Sequence, residues 1–136
     1  MKLHADRNDH LAITAYGEGW LAINGQRHES SLVISSSGRV DAWDCRQFED
    51  LTAAHFSALL QGDAQPPELV IFGSGSRLRF VPPSLLAQLT ARRVGVETMD
   101  TQAACRTYNI LAGEGRRVVA ALLLPRPDPH PTPGSG

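Results

Sequence analysis

Residues 99–124 read MDTQAACRTYNILAGEGRRVVAALLL and hold a helix cap, a helix, a turn and an unbroken apolar strand in succession. Asp100 or Thr101 can cap the helix, because either side chain can accept from the free N–H groups of a first turn. Gly113 marks its end, since glycine takes the left-handed backbone that closes a helix. Arg117 to Leu124 then shows no alternation of polar and apolar residues. Such a strand is covered on both faces and so lies centrally in its sheet.

The same rhythm recurs upstream. Glu68 to Phe72 (ELVIF) runs into Gly73-Ser74-Gly75-Ser76, the pattern of a buried parallel strand followed by a loop. Pro82-Pro83 start a helix with Leu85, Leu86 and Leu89 as its apolar stripe, and Val94 to Thr98 gives the next strand. Strand, helix and strand at this spacing imply a right-handed βαβ crossover. Before that unit, Thr52 can cap a short helix in which Leu51 and Phe56 form a hydrophobic staple, with Leu59 and Leu60 inside and Gly62-Asp63 ending it. Residues 10–43 show short apolar runs broken by turn residues, which predicts an antiparallel meander. Asn24-Gly25 within it has the residue pair that a type I′ hairpin turn demands.

The 136 residues, 42% of them hydrophobic, suffice for one core without disulfides or metals. The expected organisation is a single α/β domain over residues 1–124, divided into a β meander (10–43) and an α/β unit (44–124). Residues 125–136 have proline at every second position through Pro133 and almost nothing apolar, so a disordered tail is expected there. A net charge of -1 gives no global field to attract nucleic acid, which is not an expected partner. Neither a signal peptide nor an apolar run of about 20 residues is present, so a cytoplasmic protein without membrane insertion is expected. Cys45 and Cys105 are too few and too isolated for a disulfide framework or a zinc site, and no cofactor motif occurs.

The run Met99-Asp100-Thr101, Ala103 to Asn109, then Glu114-Gly115-Arg116, resembles a family of small uncharacterised domains found in bacteria, archaea and mitochondria. That family includes mitochondrial respiratory complex I assembly factor three and the adipogenesis-associated domain protein. Gly73-Ser74-Gly75, the proline-started helix and Trp43 fit the same pattern, over roughly Ala12 to Leu124. The resemblance implies a three-layer fold, with an N-terminal β meander packed with an α/β unit around a five-stranded mixed sheet whose last strand is antiparallel. It carries over no catalytic residues.

Two groups of residues could carry function. Gly73, Ser74, Gly75, Ser76 and Arg77, with Asp100 and Arg106, fall at the carboxyl ends of predicted parallel strands, where α/β sheets bind ligands. Backbone N–H groups, serine hydroxyls and arginines there could hold a carboxylate or phosphate, although the stretch lacks the features of a P-loop or dinucleotide fingerprint and reads more simply as a tight turn. On a wheel of about 100° per residue, Ala103, Ala104, Thr107, Ile110 and Leu111 form the expected core stripe, with Tyr108 at its edge. Cys105 and Asn109 then point outward, with Arg106 on the flank, as a candidate interaction face.

Each residue also has a structural reading: Cys105 as an inert thiol without a base, Asp100 as a cap, Arg106 in an ion pair with Glu114, Asn109 as a packing residue. With no complete catalytic set, the leading expectation is a non-enzymatic protein-interaction or assembly-factor-like domain, monomeric or weakly self-associating, that binds a protein partner. The alternative is a small-anion site or enzyme cleft between Gly73-Arg77 and Met99-Arg106.

Overall fold

The computed structural model describes residues 11–124. The expected proline-rich tail, along with His4, His10 and His130, lies outside the described residues. Among the described residues, eight strands form two sheets, accompanied by three α-helices. Strands β1 (Ile13–Gly17), β2 (Trp20–Ile23) and β3 (Gln26–His28) make a small antiparallel sheet. Next come β4 (Leu32–Ser35), β5 (Arg39–Ala42) and helix α1 (Ala53–Ser57). They are followed by β6 (Leu69–Gly73), α2 (Ala87–Ala91), β7 (Gly95–Met99), α3 (Thr101–Gly113) and β8 (Val118–Leu122). The main sheet has the order β5-β4-β8-β6-β7, which puts the apolar strand β8 in the middle, as its sequence requires.

Two expectations need correction. The antiparallel strand is β4, not the last one: β8 runs parallel to β6 and antiparallel to β4. The reason is the reach of α3, whose 13 residues rise about 1.5 Å each and carry the chain back to the end where β6 begins. The segment 10–43 is also not one meander. All four residues of β4 are buried, so it needs neighbours on both edges and finds them in β5 and β8; the polar β3 stays in the small sheet.

The two faces of β8 fill two cores. Val118, Ala120, Leu122 and Leu124 meet Ala104, Cys105 and Tyr108 of α3 and Leu21 and Ile23 of the small sheet. Val119, Ala121 and Leu123 meet Trp43, Phe56, Phe72 and Leu89 on the other side. Trp43, Phe56 and Phe72 contact one another edge to face at 5.3 to 6.0 Å, the arrangement that ring quadrupoles favour.

Local chemistry places the elements much as their sequences predict. The β2–β3 turn has positive φ at both Asn24 (48°) and Gly25 (88°), the signature of type I′. Thr52 sits in extended conformation before α1, and its N–H donates to His55 Nδ1 at 3.0 Å. Leu51 and Phe56 share one core, as a staple requires. Pro83–Leu86 forms a 3-10 turn leading into α2. A Cβ added at Gly25 meets nothing within 4 Å, so the cost of substitution there is conformational alone. Gly25→Ala is expected to lower stability by about 1 kcal/mol in urea denaturation, without a change in slope.

Candidate functional site

The entrance of α3 meets the ends of β6 and β7. Asp100 has the extended backbone of an N-cap (φ -64°, ψ 161°), and its Oδ1 accepts the Ala103 N–H at 2.9 Å. Thr101 turns inward and is 6% exposed. Its Oγ1 accepts from the Gly75 N–H at 2.9 Å and donates to the Leu123 carbonyl at 2.8 Å, tying α3 to the strands on either side of the junction. The Thr101 N–H returns a bond to the Gly75 carbonyl at 2.8 Å.

The glycine loop is equally occupied with itself. The Ser74 N–H donates to the Met99 carbonyl at 2.8 Å. Ser74 Oγ donates to the Arg77 carbonyl at 2.7 Å and accepts from the Arg79 N–H at 3.0 Å. Gly73 is required by closeness: a Cβ there would lie 3.0 Å from both Thr101 Oγ1 and Leu122 Cδ2. The junction is therefore closed. The donors of Ser74 and Gly75 that were expected to receive an anion are bonded within the protein, as are the N–H groups of Thr101 and Ala103, and Ser76 and Arg77 stand exposed beside them. The crevice expected at this topological switch point is plugged by the first turn of α3.

The phase of α3 also differs from the sequence wheel. Its buried residues are Thr101, Ala104, Cys105, Tyr108 and Ala112, whereas Ile110, expected in the core, is 60% exposed. Cys105, expected outside, is fully buried, and burial pushes its thiol up to about 12 against the opposing field of Arg106. A thiol held in that state is no nucleophile at neutral pH.

The polar residues of α3 bind the small sheet. Asn109 Oδ1 accepts the Ile13 N–H at 2.9 Å and its Nδ2 donates to the Ile13 carbonyl at 2.8 Å, so one amide side chain acts as a strand partner for β1. One residue earlier, the Tyr108 hydroxyl donates to the Leu11 carbonyl at 3.1 Å. Arg106 Nη1 donates to the Tyr16 hydroxyl at 3.1 Å and forms no ion pair with Glu114. Of the proposed interaction face, then, Cys105 and Asn109 are structural and Arg106 remains at the surface. Sequence reasoning missed the exposed apolar side chains Ile110, Leu78 and Phe80; their exposure depends on helix phase and loop path, which no local pattern encodes.

Asn109→Ala leaves both polar groups of Ile13 without partners. It is expected to cost about 2 kcal/mol and to raise amide exchange selectively in β1 to β3, as read by hydrogen–deuterium exchange. Cys105 is expected to resist iodoacetamide at pH 8 in the folded protein and to react once the chain is unfolded in guanidinium, as followed by intact-mass spectrometry.

Comparison with known proteins agrees with this architecture. A family model described as protein of unknown function (DUF498/DUF598) matches residues 13–123. An uncharacterised protein of Rhodobacter capsulatus is 38% identical over 122 residues, covering 90% of each chain. The bovine (Bos taurus) NADH dehydrogenase [ubiquinone] 1 alpha subcomplex assembly factor 3 is 31% identical over 115 residues, which are 85% of this chain but only 61% of that protein. A crystal structure from Bordetella parapertussis superposes with a TM-score of 0.79 at 41% identity, covering 85% of this chain and 96% of that one. Together with the motif at residues 99–116, these matches place the chain in the DUF498/DUF598 family of proteins of unknown function.

Proposed function

We propose that this chain is a non-enzymatic, assembly-factor-like domain that binds a protein partner through the exposed side of α3, around Arg106 and Ile110. The observation that carries the reading is Ile110: a large apolar side chain, 60% exposed, in the last turn of a helix whose opposite side is filled by the core. Arg106 lies one helical turn earlier, so an apolar anchor and a planar cation stand side by side. Large apolar and arginine side chains of this kind carry much of the binding energy of protein interfaces. The names of the assembly-factor relatives supply the class of activity, and the burial of Cys105 removes the best candidate nucleophile. The domain works in the cytoplasm on this reading, where the buried thiols Cys45 and Cys105 stay reduced.

Native affinity purification of the full chain is expected to recover a defined partner. Arg106→Glu with Ile110→Ser should reduce its recovery at least tenfold, a loss of about 1.4 kcal/mol or more, while the melting temperature stays within a few degrees. Equal recovery with wild type and variant would remove α3 from the interface, and recovery of nothing specific would count against the reading as a whole.

A further inference from the structure

The opposite end of the sheet from the plugged junction is open. A groove of about 460 Å³ lies where β8 begins, β4 ends and α3 stops, a volume within the range of small-molecule sites. Ala64, Pro67 and Ala112 give it apolar walls beside the start of β8, while the serines of the β4–β5 turn and Arg116 and Arg117 supply its polar groups.

The hydrogen bonds around the groove occupy its acceptors first. Asp63 accepts from Ser35 Oγ at 3.0 Å, from Ser37 Oγ at 2.6 Å, and from Arg39 Nε and Nη2 at 3.2 Å each. Burial is the largest influence on its carboxyl and opposes ionisation, but the bonds from Arg39, Ser37 and Ser35 outweigh it and hold the group below its usual range. Glu68 takes Arg116 Nε at 3.2 Å and lies 3.6 Å from Arg117 Nη1. The last carbonyls of α3 are also engaged: Ile110 and Leu111 accept from the Glu114 N–H, and Ala112 from the Gly115 N–H.

What remains, among the described residues, is a set of donors. Both terminal nitrogens of Arg116 and Nη2 of Arg117 make no bond to any other described residue. Ser36 Oγ accepts the Val118 N–H at 3.0 Å, and its own proton is free to be donated. The Ser36 N–H meets the Val118 carbonyl at 2.9 Å, which fixes that hydroxyl one residue from Arg117. Donors on two guanidinium groups and a hydroxyl, with no open carboxylate among them, suit an anionic head group.

We propose that this groove binds a small organic anion, its carboxylate or phosphate held by Arg116, Arg117 and Ser36 and its apolar body lying against Ala64, Pro67 and Ala112. The site is separate from the exposed side of α3 and does not depend on the protein-binding role.

The test is an NMR titration of the ¹⁵N-labelled full chain with phenylacetate, phenyl phosphate and inorganic phosphate. Saturable shifts are expected at residues 36–37 and 115–119 with at least one phenyl probe, and whichever probe binds identifies the head group. Inorganic phosphate, lacking the apolar body, should bind roughly tenfold more weakly. The Arg116→Gln, Arg117→Gln double variant should abolish the shifts with the rest of the spectrum intact, and Arg116→Gln alone should weaken them several-fold. The proposal is overturned if no saturable shift occurs by about 10 mM probe, if the shifts lie elsewhere, or if binding survives the double variant. Inorganic phosphate binding as tightly as the phenyl probes would overturn the apolar part.

Discussion

Val118 to Leu124 contains no polar side chain, and every one of these residues is buried. A strand with no face that can meet water must have a layer on each side, and most of the architecture answers that demand. On one side α3 presents the small residues Ala104, Cys105 and Ala112 to the sheet, with Tyr108 as its one large buried side chain. On the other, the short helices cannot cover the surface with backbone, and the volume is filled by Trp43, Phe56 and Phe72 over Val119 and Ala121.

The polar residues of α3 answer a second demand. The small sheet has no ladder to the main one, since β3 and β4 do not pair, so its outer edge must be satisfied by side chains. Asn109 and Tyr108 supply bonds to Ile13 and Leu11, and Arg106 reaches Tyr16. Residues that look like a functional cluster along the chain are for the most part the attachment of one sheet to a helix.

That division explains what was legible in the sequence. Features set by a few neighbouring residues could be read directly: the Asn24-Gly25 turn, the cap at Asp100, the buried strand at Val118 to Leu122. The phase of α3 could not. Ala103, Ala104, Thr107, Ile110 and Leu111 form a proper helical stripe, but so do Thr101, Ala104, Cys105, Tyr108 and Ala112, rotated by roughly one residue, or about 100°. The choice is made by contacts distant in sequence, with Thr101 bonded to Leu123 and Tyr108 to Leu11, and the hydrophobicity of Ile110 is outvoted by them. The junction of Gly73 and Thr101 was rightly identified as a meeting point of strands and helix. Whether such a meeting point is hollow depends on side-chain depth, and here Thr101 fills it.

The position of β8 has a consequence for biosynthesis. Among the described strands, the middle one of the sheet is the last to be synthesised, after β4 and β5 and after β6 and β7. Until then each pair carries an inner edge of unpaired N–H and C=O groups flanked by apolar side chains, the kind of surface on which nascent chains misassociate. The two halves become one sheet only when β8 lies between them, so closure of the sheet depends on the described strand that comes last along the chain.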